Sequence, residues 1–189
     1  YDAGTNTPLN VADAILGVLP TMNPGDVLLL EVQRSFLPTE TDDADFDAIR
    51  LAVALGIVVV EAAGNGGRNL DTYTNAFGDN ILNRGSMDFR ESGAILVGAA
   101  NSALPHNRAS FSNFGSRIDC YGWGNNVTTC GYGDLDNGAG NQNRTYTDTF
   151  DGTSAASPII VGAALILQGM YEATTGTRIS PLQMRVLLS

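Results

Sequence analysis

Asp151-Gly152-Thr153-Ser154-Ala155-Ala156-Ser157-Pro158 is the stretch on which the reading of this chain turns. A turn of small residues delivers a serine to the start of an apolar run, residues 159–170, which predicts a buried helix. That placement suits a nucleophile. Gly152 lacks a Cβ, so a second backbone or a substrate can come close. Unpaired N–H groups and the positive end of the helix dipole would surround the hydroxyl, where negative charge develops. Pro158 cannot donate to the Ser154 carbonyl, which predicts an irregular first turn. The plainer reading of Gly-Thr-Ser before a helix is an N-cap, with Thr153 or Ser154 closing the first turn.

Upstream of this stretch lie the elements that would carry it. Residues 27–32, 57–62 and 94–99 are apolar runs with little polar alternation, as in strands of a parallel sheet covered on both faces. Residues 117–121 predict a short fourth strand. Thr7-Pro8-Leu9-Asn10 opens a helix with Val11, Ala14, Ile15, Val18 and Leu19 on its apolar positions, ending at Pro20. The acidic run 42–47 leads into a helix over 46–55, placing negative charge where the dipole favours it, and Gly56 suits the C′ position. In the tail, Ser180 and Pro181 read as N-cap and N1 of a last helix. The unit 27–62 predicts a right-handed parallel crossover. Loops fill 65–92 and 131–148, and residues 1–189 read as a single α/β domain without an internal linker.

Composition limits the function classes. A chain of 189 residues, 43% hydrophobic and 16% charged, is long enough for a sizeable core. Its net charge of −10 argues against nucleic acid or an anionic membrane surface as partner. No uninterrupted apolar run reaches 18 residues, so no membrane span is expected; no signal peptide is seen, and a mature secreted chain would have lost it. Cys120 and Cys130 are the only cysteines. With Gly122, Gly124 and Gly131 nearby they suit a disulfide-closed loop; two free thiols or half a metal site are the alternatives. The disulfide is preferred, and with it an oxidising, secreted or extracytoplasmic setting. His106, the only histidine, lies in a polar loop, so no metal site is expected. The sequons at Asn126 and Asn143 matter only if the source glycosylates.

The string from Gly152 through Ala164 resembles the nucleophile segment of the subtilisin family of serine endopeptidases. Residues 58–66 resemble the family's oxyanion segment. Residues 97–100 followed by 107–115 resemble a structural loop after one of its core strands. The resemblance implies a three-layer α/β fold, a mostly parallel sheet with helices on both faces, incomplete at its N-terminal side. At the carboxyl end of a parallel strand, where ligands bind in such sheets, an amide can aim its N–H₂ at a developing oxyanion. By resemblance Asn65 does so, together with the backbone N–H of Ser154; a turn-forming Asn-Gly pair is the plainer reading. Ala62, Ala63 and Gly64 would then line a substrate side-chain pocket. Glu31 and Glu61, each near the end of a buried strand, would favour a basic substrate side chain or share a proton. Hydrogen bonding to nearby backbone or to Arg34 is the alternative. The family often has Met just after the nucleophile; here Ala155 removes an oxidisable neighbour.

A serine nucleophile needs a base, and the base an orienting group. Subtilisin-like proteases carry Asp and then His upstream of the Asn and Ser segments, and neither of those segments occurs in this chain. His106 does not fit the role. Sedolisins, relatives that replace His, use Asp in the oxyanion position, so Asn65 points away from them. Two function classes follow: the C-terminal portion of a serine endopeptidase whose Asp and His lie on an earlier segment, or a non-catalytic module keeping the fold for binding or scaffolding. Alone, the chain is expected to be nearly inactive. Strand 27–32 would be an apolar sheet edge, which calls for the absent N-terminal segment or a dimer mate as partner besides a polypeptide substrate. No cofactor is expected; acidic residues 42–47 could hold structural calcium, although solvated charge explains them as well.

Overall fold

The computed structural model describes residues 10–189. Helix α1, Val11–Val18, starts at Asn10, whose side chain accepts from Asp13 N at 3.1 Å. The expected opening at Thr7, Pro8 and Leu9 lies outside the described residues. A 3₁₀ turn, Leu19–Thr21, absorbs Pro20. Strand β1 is Val27–Leu30, so Glu31 and Val32 have already left the sheet. A small antiparallel pair follows, β2 (Gln33–Arg34) and β3 (Leu37–Pro38). Helix α2, Asp43–Ala54, is capped by Asp42, which accepts from Ala44 N and Asp45 N. Strands β4 (Val58–Ala62), β5 (Ile95–Ala100) and β6 (Cys120–Trp123) complete a parallel sheet ordered β1-β4-β5-β6. Its register runs Val27 to Val58, Val60 to Ile95 and Val97 to Cys120.

The sheet is covered on both faces, and β4 shows why its sequence is apolar but for Glu61. Val59 joins Ile57, Leu30, Ala94 and residues of α1 and α2 in one core cluster. Val58 and Val60 face the other way, into a cluster with Val97, Ala156, Ala164 and Met184. A strand buried on both sides loses the polar alternation of a half-exposed one. The second layer of helices is α3, Thr153–Thr175, and α4, Pro181–Leu188, the latter held by a capping box between Ser180 and Gln183.

Several expectations change. The region 131–148 contains the start of a strand: β7 (Val127–Cys130) and β8 (Tyr146–Phe150) form an antiparallel pair. Cys120 belongs to the central sheet and Cys130 to this separate pair, and both are free thiols. The disulfide expectation is therefore overturned, and with it its support for an oxidising compartment. Burial, then the charge of Asp119, pushes the Cys120 thiol up to about 12. Helix α3 is buried along one face only; Leu165, Ile166 and Met170 are more than half exposed. By length and composition alone α3 could cross a membrane, which the interrupted sequence did not suggest. It nevertheless packs on the sheet through Ala156 and Ala164, and buried Gln168 donates to the Gly25 and Ile179 carbonyls at 2.9 Å each.

The acidic run is engaged within the fold. Asp43 pairs with Arg90 at 2.5 Å, and buried Asp45 accepts from Ala12 N at 3.0 Å and from Arg34 at 2.7 Å. A second ionic cluster is wholly buried. The Arg117 guanidinium grips Glu40 at 2.6 and 2.8 Å and reaches Asp119 at 2.9 Å. Burial alone would lower its proton affinity, but the Glu40 carboxylate holds it above the ordinary arginine range. Removing one member of such a cluster would leave an uncompensated buried charge, which is strongly destabilising.

Candidate active site

The carboxyl end of β4 and the amino end of α3 meet through three hydrogen bonds. Thr153 N and Thr153 Oγ1 both donate to Asn65 Oδ1, at 2.8 and 2.9 Å, and Gly64 N donates to Thr153 Oγ1 at 3.1 Å. With both acceptor directions of its carbonyl filled, the Asn65 amide has only its N–H₂ left to present outward. Asn65 N donates to Gln33 Oε1 at 2.8 Å, which ties the backbone of this residue to β2. Gly64 has φ +90°, and a Cβ there would stand 2.5 Å from the Phe36 carbonyl oxygen. Only glycine lets the strand end turn this tightly.

Ser154 sits half-buried in the first turn of α3. A Cβ placed on Gly152, whose φ is +137°, would lie 3.0 Å from Ser154 Oγ and 3.5 Å from Asn65 Nδ2. The hydroxyl and the amide donor thus flank one small space, kept open by the missing side chain of Gly152. The N-cap of α3 is Gly152 and carries no side-chain capping bond. The simple capping role for Thr153 or Ser154 is therefore not what the structure shows: Thr153 is spent on Asn65. The first-turn carbonyl of Thr153 accepts from Ser157 Oγ at 2.6 Å, and α3 continues through Pro158. Backbone N–H groups of such a first turn have no intrahelical acceptor and concentrate positive potential.

Residues with no sequence signal for the task hold this geometry. Asn113 donates to the Ala63 and Phe36 carbonyls at 2.7 and 2.6 Å and accepts from Arg68 N at 2.9 Å. It clamps the turn just before Asn65. Its segment, 107–115, was expected to be structural, and it is structural at the one place that aims the amide. Gln33 and Thr153 complete the set; only the long-range contacts identify them.

The remaining candidates separate. Ala62 and Ala63 are 2% and 0% exposed and Gly64 is buried, so they offer a ligand backbone at most. Glu61 is 0% exposed and accepts from Glu40 N at 2.9 Å, leaving Oε2 buried without a partner among the described residues. No substrate group reaches it, and its carboxylate neighbour is Glu40 rather than Glu31. Its assignment as a substrate contact is corrected on that ground. Burial, and next the charge of Glu40, holds the Glu61 carboxyl well above the usual range. Arg34 is bound to Asp45 and answers neither glutamate.

Glu31 is exposed and lines a cavity of about 530 Å³ with Ser154, Val127, Tyr132, Phe150 and Ile159. Partial burial raises its carboxyl above the ordinary value. His106 is exposed, with Nδ1 3.0 Å from the Asn101 carbonyl and its ring against Trp123. Among the described residues no base is hydrogen-bonded to the Ser154 hydroxyl, and no cluster of three or more His, Cys, Asp or Glu could hold a metal ion.

Similarity to known proteins agrees with this arrangement. The profile of the Subtilase family matches residues 34–188. The chain is 32% identical over 133 residues to the extracellular serine proteinase of Thermus sp. (strain Rt41A), covering 70% of this chain and 27% of that protein. It is 33% identical over 129 residues to the alkaline proteinase of Hapsidospora chrysogena, covering 68% of this chain and 26% of that one. Among solved structures, a cold-adapted subtilisin-like serine proteinase superposes with a TM-score of 0.65 at 23% identity, over 98% of this chain and 55% of its own. A lanthipeptide protease gives a TM-score of 0.69 at 19% identity, over 95% and 56%. The chain thus spans about a quarter of the curated relatives and little more than half of the solved chains. Such likenesses at low identity bear on the fold, a sheet with helices on both faces. The sequence matches reach further: this chain belongs to the subtilase family.

Proposed function

We propose that the chain is the C-terminal portion of a subtilase catalytic domain and carries the nucleophile and oxyanion donors of a serine endopeptidase. Ser154 Oγ attacks the carbonyl carbon of a scissile peptide bond, and the carbonyl oxygen takes the negative charge. The Asn65 Nδ2–H and the Ser154 N–H stabilise that oxygen, while backbone at 62–64 borders the substrate. Donors fixed before the reaction contribute most where charge develops. The observation that carries this reading is the Asn65 amide, held by Thr153 so that Nδ2 shares the Gly152 space with Ser154 Oγ.

The proton of Ser154 must go to a base, which in this reading is the His of a triad supplied, with its Asp, by a preceding segment of a longer protein. That segment also covers the free edge of β1, which ends the sheet and borders an apolar groove of about 240 Å³ with α1. Without it a dimer mate along strand 27–32 would serve the same edge. The extracellular name of the Thermus relative supports a secreted setting. Chain and longer protein should be labelled side by side with a fluorophosphonate. Strong labelling of the longer protein, abolished by Ser154→Ala, with weak labelling of the chain alone, is expected. A longer protein that stays unlabelled overturns the assignment and leaves a non-catalytic module, the reading favoured by the absence of a base at Ser154 among the described residues.

A further inference from the structure

We propose that Thr153 guards the Asn65 amide chemically as well as orienting it, so that the Asn65-Gly66 pair deamidates whenever the start of α3 parts from the end of β4. Asparagine is a thermolabile residue, and before glycine most of all, since no side chain shields the following nitrogen. The chain holds two such pairs, Asn65-Gly66 and Asn137-Gly138. In the reaction the Gly66 amide nitrogen gives its proton to hydroxide and attacks Asn65 Cγ. A C–N bond forms, the bond to Nδ2 breaks, and ammonia leaves with a proton from water. Water then opens the five-membered imide at either carbonyl, giving aspartate or its β-linked isomer. Gly66 is exposed and its N–H donates no hydrogen bond among the described residues, nor does Asn65 Nδ2. Nucleophile and leaving group are thus both open to solvent.

The fold cannot easily drop the pair. A Cβ at residue 66 would stand 3.0 Å from Asn113 Oδ1 and 3.1 Å from the Phe36 Cβ, closer than ordinary van der Waals contact. Protection has to come from the amide's partners. Attack on Cγ requires the Asn65 side chain to swing over its own following peptide, and Thr153 N and Oγ1, 88 residues away, tie its Oδ1 at 2.8 and 2.9 Å. The backbone is tied as well, Asn65 N donating to Gln33. The two Thr153 donors also polarise the carbonyl, but that favours attack only on an amide free to turn. Asn137 differs: it is exposed, and its bonds stay within one turn. Ala139 N donates to Asn137 Oδ1 at 3.0 Å and Gly138 N to Asp136 Oδ1 at 2.8 Å. Local opening frees Asn137, whereas Asn65 is freed only when two distant elements separate. This chemistry stands on bonds within the chain; its consequence for catalysis rests on Asn65 being the oxyanion donor, as proposed above.

The test incubates the native chain in mildly alkaline buffer and follows both asparagines by peptide mass spectrometry, Asn137 serving as reference within the same molecules. Asn65 should deamidate more slowly than Asn137 by about tenfold or more, the effect of two ordinary hydrogen bonds, and at a similar rate in urea. Thr153→Val, which removes Oγ1, should raise the Asn65 rate about threefold to tenfold and leave that of Asn137 unchanged. Thr153→Ser keeps a hydroxyl and should restore the slow rate. Equal native rates for the two asparagines, or an Asn65 rate that Thr153→Val leaves unchanged or lowers, overturn the proposal. In the longer protein, turnover should fall in step with loss of the Asn65 amide and not with that of Asn137. Turnover that survives complete deamidation at 65 removes Asn65 from the oxyanion role and leaves its protection by Thr153 standing.

Discussion

Replacing Glu61 by Gln should make the protein more stable in neutral and alkaline solution and leave it nearly unchanged in acid. Glu61 is fully buried, its Oε1 accepts from Glu40 N, and its Oε2 has no partner among the described residues. Burial and then the Glu40 charge raise its folded-state pKa well above the unfolded value of about 4.5. The folded protein therefore holds this proton where the unfolded chain has released it. Stability from the neutral carboxyl is full below about pH 4.5 and is lost as pH rises through the folded value, at about 1.4 kcal/mol per pH unit within that window. Glutamine fills the same volume and keeps the acceptor for Glu40 N. Its cost at pH 4 is within about 1 kcal/mol, that of one exchanged hydrogen-bonding group. Urea unfolding of both proteins from pH 4 to pH 9 measures the difference. The free-energy gap should open in favour of glutamine across the window and level off above it. Parallel curves, or a variant less stable throughout, would show that Glu61 is ionised in the fold and that the argument from burial is wrong.

Thr153→Val should cut labelling of Ser154 in the complete protein more than it cuts stability, because Asn65 Oδ1 loses one of its two donors; unchanged labelling would remove Thr153 as a positioning residue. Asn65→Ala should lower turnover by about 10²–10³, a figure that belongs to the family's archetype, with little effect on KM; a KM effect alone would place Asn65 in ground-state binding. Gly64→Ala should destabilise by about 1–3 kcal/mol, since φ is +90° and the added carbon meets the Phe36 carbonyl; a melt within experimental error of the parent would contradict the turn. Iodoacetamide should modify exposed Cys130 in the native protein and Cys120 only after unfolding. An intact mass two units low and resistant to alkylation would restore the disulfide.

Much of the layer structure was legible because it is written in local pattern. Residues 95–100, and 58–62 apart from Glu61, are apolar without alternation, as a doubly covered strand requires. Asp42 and Ser180 announce helix starts through chemistry confined to one turn. The pair β7–β8 was not legible: Thr147 and Asp148 read as polar loop, no strand was read at 127–130, and the strands are joined by a Gly- and Asn-rich connection. The half-exposed face of α3 escaped because an apolar helix does not state which of its neighbours are present. Of the site, Ser154 and Asn65 stood out by their segments. Their supports did not. The donors that orient Asn65, and the Glu40 that confronts Glu61, are brought by turns far away in the chain, and nothing in residue spacing encodes such meetings.

The bonds from Thr153 to Asn65 join positions 88 residues apart. Closing so long a segment is entropically costly and comes after local elements have formed. A nascent polypeptide that has emerged only as far as β6 contains every strand of the central sheet, yet lacks both donors to the Asn65 amide oxygen. Those donors arrive only when the start of α3 leaves the ribosome and docks. During synthesis, the capacity to stabilise an oxyanion is thus among the last properties the chain gains.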